Sequence, residues 1–100
     1  MSVIVIGRFK ANPADLEKVI ADRAADFKAV SEEAKGVGAI HHRFAAGDGE
    51  VVIVDEWNNL ESFQKFFADN TTIPEFLQAA GVQGPPEFSF YEAMDTPDRF

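Results

Sequence analysis

Hydrophobic and polar positions along the chain predict four β-strands. Residues 3–9 are apolar on both faces as far as Arg8, and residues 51–54 are four consecutive β-branched side chains. Such runs are typical of strands whose two faces are both covered. Two further strands are predicted over residues 38–44 and 88–93, because apolar side chains recur there at every second position.

Helical periodicity predicts one long helix after the first strand. It begins after Asn12 as N-cap, with Pro13 at the first helical position, and it ends at Gly36. Its apolar stripe consists of Leu16, Val19, Ile20, Ala24, Phe27, Val30 and Ala34. The opposite face is expected to be solvated and consists of Glu17, Lys18, Asp22, Arg23, Asp26 and Lys28.

Two capping patterns predict helices after the third strand. Asn58 and Glu61 have capping-box spacing and predict the start of a second helix, and Thr72 with Glu75 predicts a short third helix. The sequence Ala-Gly-Asp-Gly at residues 46–49 predicts a hairpin. The second and third strands are therefore expected to be antiparallel neighbours.

This order of elements predicts an α+β fold, a ferredoxin-like βαββαβ chain with a four-stranded antiparallel sheet. The helices can cover only one face of that sheet, yet the first and third strands are apolar on both faces. A second copy packed sheet against sheet is the simplest cover, so we expect a homodimer. The domain is expected to span residues 1–94, with residues 95–100 as a C-terminal tail without periodicity.

Composition narrows the classes of function. A chain of 100 residues with 46% hydrophobic side chains is expected to form one folded domain. The absence of cysteine excludes disulfide and thiolate chemistry. The net charge of −8 argues against nucleic-acid binding, because phosphates require clustered lysine and arginine. The N-terminal apolar run has neither the length of a membrane span nor the layout of a signal peptide, so we expect a cytoplasmic protein without a membrane partner.

A strand that ends in Glu56-Trp57, followed by a helix with the pattern Ser62-Phe63-x-x-Phe66, resembles the antibiotic biosynthesis monooxygenase family. The resemblance covers residues 3–91. It implies a dimeric α/β barrel with a pocket between helices and sheet in each subunit. Family members include cofactor-independent oxygenases of anthrone-like phenols, quinol oxygenases and haem-degrading enzymes. The resemblance therefore implies an oxidoreductase for a small aromatic ligand that uses no cofactor.

Trp57 matches the tryptophan that lines the pocket in the anthrone-oxidising members. Those members place an asparagine four residues earlier, where this chain has Ile53. The haem-degrading members need an asparagine in the first strand and a histidine on a helix. Because this chain has neither, the departure argues against haem as a ligand.

The chain has two histidines, His41 and His42, which alternate across one strand and so cannot line one pocket together. A metal site is not expected, because no third histidine accompanies them. An imidazole titrates near neutral pH, so His42 is our candidate catalytic base for a phenol. The alternative is a histidine that only makes hydrogen bonds at the dimer face or at the barrel end.

Two residues of the third strand are candidates for catalysis beside that histidine. Trp57 is expected either to stack on an aromatic substrate or to fill the corner between strand and helix. A carboxylate in an apolar pocket can act as acid or base, which makes Asp55 a candidate. Its alternative role is an ion pair with Arg43 or Arg8.

Four residues are candidates for substrate binding. Arg43 is a polarising group and Tyr91 a hydrogen-bond partner, whereas Phe63 and Phe67 are pocket walls or simply core. The function expected from these residues is a cofactor-independent monooxygenase of a small aromatic or phenolic compound. The alternative is a non-catalytic dimer of the same fold that binds a small ligand or has a structural role.

Overall fold

The strands follow the predicted order. The computed structural model describes residues 2–100, with strands β1 (Val3–Lys10), β2 (Ala39–Ala46), β3 (Glu50–Trp57) and β4 (Glu87–Glu92). They form an antiparallel sheet in the order β2-β3-β1-β4. The predicted ferredoxin-like sheet is therefore confirmed, and so is the hairpin between β2 and β3, where Gly49 has a φ of +71°.

The helices depart from the prediction at one position. The structure contains α1 (Pro13–Asp22), α2 (Ala24–Gly36), α3 (Leu60–Asp69) and α4 (Thr72–Ala79). The prediction of a single long helix over α1 and α2 is wrong. Arg23 lies between them with φ −126° and ψ 36°, well outside the helical region, so the helix ends there and a new one begins.

The side chain of Arg23 ties this break to α4. Its Nε lies 2.9 Å from Oδ2 of Asp26, and its Nη2 lies 3.6 Å from Oε1 of Glu75. Its guanidinium carbon also lies 4.9 Å from the ring centroid of Phe76, a cation–π contact. Neither glycine nor proline marks the break, so the helical periodicity in the sequence continues through it.

The N-cap of α3 is one residue later than predicted. The side chain of Asn59 accepts a hydrogen bond from the backbone N–H of Ser62 at 2.8 Å, so Asn59 is the cap. The backbone N–H of Asn58 instead donates to the carbonyl of Gly38 at 2.9 Å. Asn58 therefore still belongs to the end of the sheet, which is why it does not cap the helix.

The other two predicted caps have different outcomes. The cap of α1 is confirmed, since Asn12 Oδ1 accepts from the backbone N–H of Ala14 at 3.0 Å. For α4, Asn70 Oδ1 accepts from the backbone N–H groups of Thr72 and Ile73, both at 2.9 Å. The capping side chain is thus Asn70, and the predicted role of Thr72 is wrong.

The sheet has two faces that differ in what lies on them. The covered face packs against the helices, and the strand register assigns to it Val3, Val5, Gly7, Phe9, His42, Phe44, Val51, Ile53, Asp55, Trp57, Phe88 and Phe90. The open face carries Ile4, Ile6, Arg8, Lys10, His41, Arg43, Ala45, Glu50, Val52, Val54, Glu56, Glu87, Ser89 and Tyr91. Most of the buried core lies between the covered face and Leu16, Phe63 and Phe76 of the helices.

Candidate functional site

A cavity of about 630 Å³ lies between the covered face and the helices. Its walls include Ile53 and Trp57 from the sheet and Phe27, Phe63 and Phe76 from the helices. Pockets that hold small molecules have volumes of about 300–1,000 Å³ and are mostly apolar with a few placed polar groups. The size and lining of this cavity suit a compact aromatic molecule.

Three side chains connected by hydrogen bonds form the polar part of the cavity wall on the sheet side. Nδ1 of His42 lies 2.6 Å from Oδ1 of Asp55, and Nε1 of Trp57 donates to Oδ2 of Asp55 at 3.2 Å. Asp55 is buried at 6% exposure, whereas the side chain of His42 is 43% exposed. A buried carboxylate is thus held by two donors and connected through an imidazole to the cavity.

The donor and acceptor roles follow from chemistry. A carboxylate can only accept, so Nδ1 of His42 carries the proton in this contact. The lone pair of the neutral ring is then at Nε2, which is free to take a proton from a ligand. A histidine oriented in this way by a carboxylate is a common arrangement for a general base.

The β2–β3 hairpin decides which histidine reaches this carboxylate. From Ala46↔Val51 at the turn, the register runs without a shift to His42↔Asp55 on the covered face. The register shifts by one only beyond this pair, between Ala39 and His41, where Ile40 is an extra residue in the strand.

His41 has different surroundings. It pairs with Glu56 on the open face, although part of it borders the cavity at the β2 edge. Among the described residues, no group of three or more histidine, aspartate or glutamate side chains is arranged to hold a metal ion. Both histidines therefore border the cavity, so the expectation that they cannot line one pocket is wrong; β2 is the edge strand, and only His42 contacts Asp55.

Aromatic rings fix Trp57 in place. Its ring centroid lies 5.6 Å from that of Phe63 and 5.5 Å from that of Phe66, and Phe67 stacks on Phe63 at 5.8 Å. Trp57 is only 2% exposed. It therefore forms part of the packed wall of the cavity, and Phe63 and Phe67 border the same space.

Arg43 and Tyr91 do not join this group. Arg43 pairs with Val54 and Tyr91 pairs with Ile4, so both side chains belong to the open face. Neither borders the cavity. The expectation that they bind a ligand beside His42 is therefore not met within this subunit, because side chains one residue from a covered position point to the other face.

Three polar residues of α2 border the cavity, and sequence reasoning missed them as ligand contacts. They are Lys28, Ser31 and Lys35. Lys28 was expected on a solvated face, and it is exposed. Phe27, Val30 and Ala34 of the predicted apolar stripe also border the cavity, so the three polar residues flank that stripe at the cavity mouth.

The position of Ile53 is informative for function. Its side chain is buried on the covered face and borders the cavity. The anthrone-oxidising enzymes that the sequence resembles place an asparagine at this position. The difference thus lies inside the cavity, two residues from Asp55 along the same face of β3.

Comparison of the structure with solved structures identifies the fold. SnoaB of Streptomyces nogalater, a cofactor-independent oxygenase, superposes with a TM-score of 0.65 at 20% identity, over 98% of each chain. The chain has the fold of this oxygenase. ActVA-Orf6 of Streptomyces coelicolor, a monooxygenase solved with nanaomycin D, gives a TM-score of 0.66 at 18% identity over 95% of this chain and 89% of its own.

A third match comes from Caulobacter crescentus, a protein provisionally assigned as an antibiotic biosynthesis monooxygenase. It has a TM-score of 0.65 and 19% identity, over 94% of this chain and 91% of its own. The resemblance inferred from the sequence is thus confirmed at the level of the fold. No family model matches the sequence, and no curated protein matches it. Within residues 2–100, no helix has the length and apolar character needed to cross a membrane.

Proposed function

We propose that this protein is a cofactor-independent monooxygenase of the antibiotic biosynthesis type, acting on a small aromatic or phenolic compound. The observation that carries the proposal is the contact of His42 with buried Asp55 at the edge of an aromatic-lined cavity. The structural likeness to two oxygenases supports it. Neither observation depends on the other, because one is local geometry and the other is the path of the whole chain.

His42 is the base in this proposal. Its Nε2 takes a proton from the phenol or from the activated C–H group of the substrate, and Asp55 stabilises the resulting imidazolium. Positioned proton transfer of this kind contributes about 10²–10⁴-fold to a rate. The oxygens of Asp55 accept from both the imidazole and the indole in this arrangement.

The oxidation step needs no group beyond dioxygen. The substrate anion gives electrons to O₂, a carbon–oxygen bond forms, and a hydroperoxide results. The O–O bond then breaks as water leaves, so that a CH₂ group and O₂ become a carbonyl and H₂O. The proton on His42 returns to the leaving oxygen, and the apolar walls exclude bulk water from the intermediates.

Trp57 serves in this proposal as the wall against which the aromatic substrate lies. Its hydrogen bond to Asp55 and its contacts with Phe63 and Phe66 hold the indole in one orientation. A rigid wall lowers the entropy cost of bringing the reacting carbon near Nε2 of His42. Offset stacking between such rings is worth about 0.5–1.5 kcal/mol beyond simple burial.

The rival function is a dimer that binds a small aromatic ligand without turning it over. Ile53 favours it, because an aliphatic side chain borders the cavity where the related oxygenases have an amide. An isoleucine cannot donate a hydrogen bond to oxygen or to a substrate carbonyl. The proposal of catalysis therefore depends on His42 and Asp55 alone to supply polar chemistry at the sheet.

The proposal includes a homodimer in which a second copy covers the open face. Ile4, Ile6, Val52 and Val54 lie side by side on the central strands of that face and are only half-buried in one chain. Charged residues flank this apolar strip on both sides. A two-fold axis through the strip would bury it against itself, as packing of two such sheets requires.

The experiment uses the intrinsic fluorescence of Trp57, the single tryptophan. Metal-free protein is titrated with anthrones, quinols and flat aromatic acids, with haem as a control, and oxygen uptake is followed in the same samples. The proposal predicts saturable quenching at one site per subunit together with oxygen consumption. Quenching without oxygen consumption would favour the binding protein, and no quenching by any aromatic compound would contradict both functions.

A further inference from the structure

The cavity has a basic rim in an acidic protein. The chain carries 17 acidic and 9 basic residues, a net charge of −8. The charged side chains that border the cavity are nevertheless Lys28, Lys35 and Asp55. The net charge of these three side chains is thus positive, opposite in sign to that of the whole molecule. Both positive charges come from α2.

The residues of the rim share one face of α2. Lys28, Ser31 and Lys35 are spaced i, i+3 and i+7, which aligns them along a helix. At a rise of about 1.5 Å per residue the two lysines stand about 10 Å apart along the helix. Both lysines are exposed, so their stems line the cavity mouth while the ammonium groups remain near water.

The positive charge of Lys28 is not neutralised by a neighbour. Among the described residues, no acidic side chain forms an ion pair with it. Lys35 lies 3.2 Å from Glu32, but both side chains are about 60% exposed, and such a pair is weak. Asp55 forms no ion pair with either lysine, since its oxygens contact His42 and Trp57.

We propose that the ligand of this cavity is an aromatic compound with a carboxylate or a similar anionic group, which Lys28 and Ser31 hold at the α2 rim. The inference rests on the proposed function for one point, that the aromatic part lies against Trp57. The anionic group then fixes the orientation of the ligand. The anionic end of the ligand lies at α2, and the reacting carbon lies at the opposite end, beside His42 on the β2–β3 side of the cavity.

The test compares two ligands of nearly the same shape. 2-Naphthoate carries a carboxylate, and 2-naphthamide replaces it with a neutral amide. Calorimetric titration of the wild-type protein is expected to give an affinity about fivefold higher for the acid, the scale of one exposed charge pair. The preference is expected to shrink as salt is added, because exposed charges are screened.

Two variants locate the charge that is responsible. Lys28→Met keeps the length of the side chain and removes its charge, so the preference for 2-naphthoate is expected to fall to less than about twofold. Lys18→Met is the matched control, because Lys18 is an exposed residue of α1 that does not border the cavity. It changes the net charge equally and is expected to leave the preference unchanged.

The outcomes separate this inference from the proposed function. Equal affinity for the two ligands in the wild-type protein would overturn the proposal that the ligand carries an anionic group. It would leave the proposal of an aromatic ligand in this cavity intact. A preference for 2-naphthoate over 2-naphthamide that survives in Lys28→Met would overturn the proposal that the α2 rim holds the anionic group. Failure of both ligands to bind would overturn this inference and would also count against an aromatic substrate.

Discussion

The covered and open faces of the sheet are made from alternate residues of the same strands, yet they carry different chemistry. His42 and Asp55 lie on the covered face, and their chain neighbours His41 and Glu56 pair with each other on the open face. Each face therefore has one histidine beside one carboxylate. The difference is the environment, because the covered pair adjoins a cavity with an apolar wall, whereas the open pair lies on the face that no helix covers and only part of His41 reaches the cavity edge.

The register of the strands, to within one residue, therefore decides which histidine–carboxylate pair becomes a candidate active site. Within one subunit, the same residue types on the open face have no enclosed space in which to exclude water from a reaction. The β2–β3 hairpin sets that register, because the ladder runs without a shift from Ala46↔Val51 to His42↔Asp55.

Replacement of the covered carboxylate is expected to have the largest effect. Asp55→Asn offers one oxygen where two donors now bind, so the imidazole loses its orienting partner or the indole loses its acceptor. We expect kcat with an accepted anthrone to fall about 100-fold. Glu56→Gln, the neighbour on the open face, is the control and is expected to keep wild-type kcat. Equal losses in the two variants would show that the two faces do not differ in function.

The oligomeric state of the protein tests whether a second copy covers the open face. Val54→Lys puts a charge in the centre of the apolar strip, so we expect the dimer to dissociate to monomers at micromolar concentration in light scattering. Gln64→Lys adds the same charge on the exposed surface of α3 and is expected to leave the dimer intact. A wild-type protein that is already monomeric would contradict the proposal that a second copy covers this face.

Because the covered face is closely packed, a methyl group added at Gly7 is expected to lower the stability of the protein. A Cβ atom at Gly7 would lie 2.8 Å from Cγ1 of Ile53 and 2.8 Å from Cε1 of Phe88. Gly7→Ala is therefore expected to lower the free energy of unfolding in urea by about 1–3 kcal/mol. Gly36→Ala meets no atom within 4 Å and is the control, measured at the same protein concentration. Equal stability of the two variants would mean that this face is looser than the structure shows.

Much of the fold could be predicted because its signals are local and repeated. The continuous apolar runs of β1 and β3, the cap at Asn12 and the turn at 46–49 each specify their element through contacts close in the chain. The break at Arg23 could not be predicted in this way. It depends on Glu75 and Phe76 of α4, which lie about fifty residues away along the chain.

The candidate site could be predicted only in part. Asp55 and Trp57 share a face by simple alternation, and their place at the end of a buried strand made them candidates. The pairing of His42 with Asp55 depends on the exact length of the β2–β3 turn, which the Ala-Gly-Asp-Gly sequence marks as a hairpin without fixing its register. Lys28 and its neighbours on α2 were missed because they border the cavity mouth beside the predicted apolar stripe, and helical periodicity alone does not show that a cavity opens there.

The central claim is that the covered face of this sheet holds a base for oxygen chemistry, and oxygen uptake tests it directly. The measurement compares wild-type protein, His42→Ala and His41→Ala with the same anthrone in metal-free buffer. The account predicts that His42→Ala loses about 100-fold in kcat, whereas His41→Ala stays within about twofold of wild type. Equal activity in all three proteins, or equal loss in the two variants, would contradict it.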